Sequence, residues 1–179
     1  SYWTTKSGNR KIFKESKVNF ADGVNDIRSI SELKSSMAQL WSKYPHMNKY
    51  ILKLDTGVSG DGNAIFKYDI SYESFIDKSQ VEQEIYLENI LKNADYQSSL
   101  MNWSKFSESL TEGMVLEIFI PGEIKKSPSV QGRIHADGSV ELLSSHEQIL
   151  DKNGMRFLGG IFPASNNYRK MLNNYAESA

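Results

Sequence analysis

The residues best suited to chemistry begin at Lys53-Leu54-Asp55-Thr56-Gly57-Val58-Ser59-Gly60-Asp61-Gly62-Asn63, where a lysine on an apolar strand stands beside a glycine-rich turn. Such a segment suits phosphate. Glycines let backbone N–H groups converge on an anion without interference from Cβ, and the ammonium supplies a point charge. Gly57 and Gly62 have the spacing of a Walker A loop, but Asn63-Ala64 replaces the required Lys-Ser/Thr, and a strand-like segment follows where a helix should start. The glycine order G-x-x-G-x-G is not the dinucleotide fingerprint. A calcium loop counted from Asp55 would need glutamate where Phe66 stands. A plain hairpin with a glycine-rich turn is the alternative from this segment alone.

Two further sets of polar residues sit on extended segments. Met114–Ile120 reads as a strong strand, ended by Pro121-Gly122, with Leu116, Ile118 and Ile120 on one side and Val115, Glu117 and Phe119 on the other. A carboxylate on so apolar a strand needs water or a partner, so Glu117 is either an exposed edge residue or a group placed at a cleft. Farther on, 129–136 and 139–146 alternate around Asp137-Gly138, a two-residue hairpin signal. With Ala136 opposite Ser139, Arg133 faces Leu142, Gln131 faces Ser144 and Ser129 faces His146, which gathers Arg, Gln, Ser and His on one surface. The surface is either a solvated sheet face or a binding face. The solvated face is the ordinary reading, and the sequence Gln131-Gly132-Arg133, with His146-Glu147-Gln148 after it, keeps the second one open.

The elements that must position these groups follow from apolar periodicity. Leu33, Met37, Leu40, Trp41 and Tyr44 fall on one helical face, with Ser29 and Glu32 as a capping pair and Pro45 as the stop. Helices are also expected over 6–15, 81–91, 103–110 and 166–175. Strands are expected over 50–54 and 64–68, and a short extended piece over 18–21 is expected to join the core. The chain of 179 residues is 39% apolar and 24% charged, enough for one domain or two small lobes. A net charge of -1 gives no global attraction for nucleic acid or anionic lipid, so any anion site is local. With no cysteine there are neither disulfides nor thiolate metal sites, and the absence of a long apolar run leads to an expected cytoplasmic location without membrane or nucleic-acid partners.

Taken in order, these segments resemble the ATP-grasp fold, and within it the peptide ligases related to the pheganomycin-type enzyme. Lys-x-x-x-Gly-x-Ser-Gly-Asp-Gly-Asn-Ala at 53–64 is similar to the lysine strand and lid loop, and Val115-Leu116-Glu117-Ile118-Phe119-Ile120 to the strand linking the lobes. Pro128-Ser129-Val130-Gln131-Gly132-Arg133, Ser144-Ser145-His146-Glu147-Gln148 and Phe157-Leu158-Gly159-Gly160-Ile161-Phe162-Pro163 resemble segments of the same branch.

The resemblance implies an α+β, ATP-grasp-like fold: a small lid lobe with its linking strand over 1–120, then the beginning of a larger antiparallel-sheet lobe over 121–179. It implies ATP as nucleotide, with adenine met by backbone groups at Glu117, Ile118, Phe119 and Ile120. The phosphates would be held by Lys53 and by Gly57, Ser59, Gly60, Gly62 and Asn63 of the lid, with Lys6 as a second phosphate contact. Gln131 and Gln148 are nucleotide-side candidates. Arg133 and Mg2+ would neutralise charge during phosphoryl transfer, and His146 would orient phosphate or the acyl group. The implied reaction makes an acyl phosphate that an amine attacks, with carboxylate and amine substrates of amino-acid or peptide type. The Glu-x-Asn strand pair that carries magnesium in this branch is not among these residues. The metal ligands are therefore unassigned, and the isolated chain is expected to lack turnover. A non-catalytic module with the same fold is the alternative.

Overall fold

The computed structural model describes residues 1–57, 62–123, 126–151 and 157–179. The chain divides into two compact units, one of Ser1–Arg10 with Ala21–Ile120 and one of Lys11–Phe20 with Pro121–Ala179. Both combine helices with antiparallel sheet, so the chain is α+β. No helix among the described residues is long and apolar enough to cross a membrane.

In chain order the elements up to residue 120 are α1 (Lys6–Glu15), β1 (Gly23–Ile27), α2 (Ile30–Lys43), β2 (Lys49–Leu54), β3 (Asn63–Lys67), α3 (Tyr72–Ile76), α4 (Gln80–Lys92), β4 (Asp95–Tyr96), α5 (Trp103–Glu108) and β5 (Met114–Ile118). The strands form one antiparallel sheet in the order β1-β5-β2-β3-β4. Ile51 lies opposite both Ile65 and Glu117, while Lys53 lies opposite both Asn63 and Val115. Directly opposed residues share a face, so these six lie on one side of the sheet. The other side carries Tyr50, Leu52, Leu54, Ala64, Phe66, Met114 and Leu116, which pack with Leu33, Met37, Leu40 and Trp41 of α2 and with Leu87 and Leu91 of α4. Ile51, Ile65 and Val115 are buried as well, yet belong to no part of that core.

The expected helix around Leu33–Trp41 is α2. Ser29 caps it by accepting the Glu32 N–H at 3.2 Å, but Glu32 Oε2 takes the N–H of Arg28 rather than that of Ser29, so the reciprocal pair is offset by one residue. Trp41 fills the centre, stacked on Tyr68 with ring centroids 3.6 Å apart and tilted against Phe75 at 5.0 Å. The short strand expected over 18–21 lies instead at β1. Phe20 is exposed and rests on Phe13, whereas Gly23 runs so close to β5 that a Cβ there would meet the Leu116 carbonyl oxygen at 2.1 Å. Close backbone approach, rather than apolar content, sets where this strand pairs.

Beyond residue 120 come β6 (Pro128–Ile134), β7 (Val140–Leu150), β8 (Phe157–Ile161) and α6 (Asn166–Ser178), the strands forming a sheet in the order β6-β7-β8. The hairpin between β6 and β7 differs from expectation by one residue. Its loop has three residues, closed by His135 N–H to the Ser139 carbonyl at 2.9 Å, and Gly138 takes φ +85° as the third loop position. Arg133 consequently lies opposite Glu141, not Leu142. A bulge at Leu143 then shifts the register back, so Gln131 opposite Ser144 and Ser129 opposite His146 agree with the reading from the sequence.

Truncating Trp41 to Ala removes the central ring of this cluster and should cost about 3–5 kcal/mol in urea unfolding. A second expectation concerns acid. Hydrogen bonds from Lys92 and then Lys34 hold the Glu88 carboxyl down to about 2 from its ordinary 4.5. Because the folded value is the depressed one, the contribution of Glu88 to stability is present above about 4.5 and is lost as pH falls toward about 2. Glu88→Gln should therefore lower stability at neutral pH and flatten the acid limb of a Tm-against-pH curve.

Candidate functional site

The side of the first sheet that carries Lys53 contains a buried ionic cluster. Glu117, 7% exposed, accepts Arg10 Nη1 on Oε1 at 2.5 Å and Lys53 Nζ on Oε2 at 2.5 Å. Arg10 is itself 5% exposed, with Nη1 also donating to the Ala21 carbonyl at 2.6 Å and Nε to Asn25 Oδ1. Taking a carboxylate out of water costs several kcal/mol unless cations and hydrogen bonds replace the lost hydration. Glu117 meets that condition through its side chain, which resolves the choice left open by the sequence. It is a paired, buried group. Lys53 is the least buried of the three, with 30% of its side chain exposed.

Asp55 organises the neighbouring turn. Its carboxylate accepts the N–H of Ser7 in the first turn of α1 at 2.8 Å, and its own N–H donates to the Gly113 carbonyl at 2.9 Å. A carboxylate at a helix N-terminus satisfies an otherwise unpaired donor and complements the helix dipole. This anchor sets α1 so that Lys6 Nζ reaches the Gly57 carbonyl at 3.1 Å. Gly62 closes the other side of the turn at φ +85°, its carbonyl accepting the Leu54 N–H at 2.9 Å. Asn63 opens β3 opposite Lys53. Ser59 and Gly60 lie outside the described residues.

At the end of β5, the N–H of Ile118 donates to the Asp22 carbonyl and that of Phe119 to the Lys49 carbonyl, each at 3.0 Å. The Asp22 carboxylate is gripped in turn by Lys43 and Tyr44, whose hydrogen bonds hold its carboxyl below the usual range. Lys49 Nζ lies over the Phe119 ring, 3.8 Å from the centroid, and Ile120 is exposed.

The second sheet is organised separately. Arg133 faces Glu141 across the hairpin, Nη1 to Oε2 at 3.9 Å, and His135 contacts the same oxygen at 3.2 Å. Gln131 accepts the Ser144 hydroxyl at 3.4 Å, and Gln148 accepts the Ser127 hydroxyl at 2.9 Å. The His146 ring packs on Phe162 at 5.7 Å. Ser144, His146 and Gln148 alternate along β7 and so share one face, while Ser145 and Glu147 point to the other. Among the described residues no group of three or more His, Cys, Asp or Glu is arranged to hold a metal ion.

Two residues that build the first site were given no role in the reading of the sequence. Arg10 carries a signal of a kind: it is the large member of the buried Ser7, Gly8 and Arg10 set of α1, and a helix face of small residues beside one cation marks close approach to another element. Asp55 had its own weak signal, an acid directly after an apolar strand.

The antiparallel sheet thus packs on α2 and α4 with one side and carries Lys53 and Glu117 on the other, next to Arg10 of α1. A profile of the family described as "IQCH-like, ATP-grasp" matches residues 1–102, more than half of the chain, and the chain belongs to that family. It is 26% identical over 185 residues to IQ motif-containing protein H of Danio rerio, covering 90% of this chain and 17% of that protein. It is also 26% identical over 171 residues to L-propargylglycine–L-glutamate ligase of Streptantibioticus cattleyicolor, covering 93% and 32%. The chain thus spans less than a third of the length of either curated relative. Among solved structures, a biotin carboxylase β,γ-ATP complex from Campylobacter jejuni superposes with a TM-score of 0.62 at 16% identity, covering 98% of this chain and 33% of that one. The ADP complex of N5-carboxyaminoimidazole synthetase from Staphylococcus aureus gives 0.61 at 11% identity, covering 99% and 37%. These likenesses establish the fold.

Removing the shared carboxylate leaves a buried guanidinium without its counter-ion. Glu117→Ala should lower unfolding free energy by roughly 3 kcal/mol in urea titration, well beyond the cost of Lys53→Ala, whose ammonium is partly solvated.

Proposed function

We propose that the chain is the nucleotide-binding part of an ATP-dependent carboxylate–amine ligase that acts through an acyl phosphate on substrates of amino-acid or peptide type. The observation that carries this reading is the Lys53 side chain, the least enclosed member of a buried ionic cluster, on the strand that leads to Gly57, whose carbonyl accepts Lys6 Nζ. The ADP and ATP complexes named among the structural neighbours support a nucleotide ligand. The amide-forming relative from Streptantibioticus supports the reaction class.

In this reading Lys53 and Lys6 take the phosphate oxygens, and Ile51, Ile65 and Val115 form the apolar floor beneath. The N–H groups of Ile118 and Phe119 are already engaged, so a base edge would be met at Ile120. The γ-phosphoryl group passes from ATP to a carboxylate oxygen, releasing ADP. An amine then attacks the acyl carbon, phosphate leaves, and an amide forms. Such a transfer asks the protein for position and positive charge rather than a covalent nucleophile. Arg133 is the candidate cation of the second sheet, available once it leaves Glu141, while His146, Gln131 and Gln148 are its orienting groups. Ser59 and Gly60 complete the lid in the same proposal. No step is assigned to magnesium.

A second reading, a nucleotide-binding module without turnover, is favoured by the alignment of 90% of the chain with IQ motif-containing protein H, whose name denotes no reaction. Calorimetric titration of the chain with ADP and with ATP tests the site that both readings share. Binding is expected, and Lys53→Met should weaken it about tenfold or more through loss of a charge-assisted contact. Absence of binding, or equal affinity in the variant, would sink the nucleotide assignment. Release of ADP by the longer protein that depends on both a carboxylate and an amine would separate ligase from module.

A further inference from the structure

We infer that Arg10 is a positioning residue that keeps the Lys53 ammonium available to an anion by occupying half of the Glu117 carboxylate. The inference rests on the phosphate role proposed for Lys53. Its basis is charge and geometry within one unit of the fold.

Glu117 alone would neutralise Lys53. Two opposite charges 2.5 Å apart make a pair with no net charge, whose attraction for a third ion falls off much faster than that of an uncompensated ammonium. Arg10 changes that balance. It places a second cation on the other carboxylate oxygen, also at 2.5 Å, and the group of three then carries one net positive charge. The position of that surplus follows from burial. Arg10 is enclosed, its donors directed to the Ala21 carbonyl, Asn25 Oδ1 and Glu117 Oε1, and its side chain is 6% exposed. Lys53 is the member with an exposed end, and an ammonium has three donors, of which Glu117 Oε2 takes one. The surplus charge therefore appears at Lys53. Arg10 does not contact the ligand in this scheme. It acts through Glu117, which fixes the Lys53 rotamer while its charge is shared with Arg10.

Charge rescue distinguishes this role from simple support of the fold. ADP affinity is compared calorimetrically for the wild type, Arg10→Met, Glu117→Gln and the double variant Arg10→Met/Glu117→Gln, each checked for folding by circular dichroism. Arg10→Met should weaken ADP about tenfold, because Glu117 then cancels Lys53. The double variant removes one charge of each sign, restores the single surplus charge at Lys53, and should recover most of the affinity. A merely structural Arg10 predicts a double variant at least as weak as Arg10→Met, and that result would overturn the inference. Should Arg10→Met fail to fold, the folded double variant still decides, since near-wild-type affinity in it is expected only if charge is what Arg10 supplies.

A measurement without nucleotide separates this idea from the binding assignment. The rate of Lys53 acetylation by an amine-reactive ester, read by peptide mass spectrometry, should fall several-fold in Arg10→Met and rise in Glu117→Gln. Equal rates in all variants would overturn the role of Arg10. No ADP binding by a wild type whose Lys53 responds as expected would overturn the nucleotide assignment and leave the control of Lys53 by Arg10 standing.

Discussion

A carboxylate enclosed by protein must be met by charge, and in this chain that requirement links elements far apart in sequence. Glu117 lies on β5, its two partners on α1 and β2, and neither oxygen can lose its cation without leaving a desolvated charge. The start of α1 is therefore tied to the middle of the sheet. Asp55 repeats the device at the sheet end by accepting an N–H from the first turn of the same helix. With both ends of this short segment fixed, the Lys6 ammonium is carried to the Gly57 carbonyl, next to the turn that follows the Lys53 strand.

The sheet serves two purposes because its strands are buried on both sides. One side supplies the core with Tyr50, Leu52, Leu54, Phe66 and Leu116 against α2 and α4. The other is enclosed too, yet its apolar residues Ile51, Ile65 and Val115 make no part of that core and stand beside charged neighbours. Residues of the two kinds alternate along the same strands, so a shift of register by one would exchange core for site. The stacked aromatic cluster around Trp41 therefore also secures the register that brings Lys53 and Glu117 to one face.

The parts legible in the sequence were those with a local cause. Period and capping gave α1, α2, α4, α5 and α6 to within a few residues, and a glycine-rich stretch after an apolar strand singled out Lys53, which the structure pairs with Glu117. Three features escaped for physical reasons. β1 is Gly-Val-Asn-Asp-Ile, too polar to announce a strand, and it pairs because Gly23 permits close approach to Leu116. The three-residue loop at Gly138 and the compensating bulge at Leu143 depend on a left-handed glycine whose loop length dipeptide statistics do not specify, and together they moved the partner of Arg133 from Leu142 to Glu141. Arg10 has no local mark of its partner, since the carboxylate that it meets stands 107 positions away in the chain.

The two lysines of the first site reach comparable ends by different means. Lys6 donates to a neutral carbonyl, so its charge is uncancelled and only a hydrogen bond has to be exchanged when an anion arrives. Lys53 donates to a carboxylate and would be silent but for the guanidinium on the other oxygen. A carbonyl positions an ammonium weakly at no electrostatic cost, whereas a shared carboxylate positions it firmly and needs a buried counter-ion to leave any charge over. Firm placement suits a residue in the middle of a strand, where the backbone is already fixed by pairing on both sides and the side chain is the remaining freedom. Looser placement suits Lys6 at a helix start, where its ammonium meets the Gly57 carbonyl. On the phosphate role proposed for Lys53, Asn25, the Ala21 carbonyl and Arg10 act on the ligand through Glu117, although they bond to Arg10 and Glu117 rather than to the lysine.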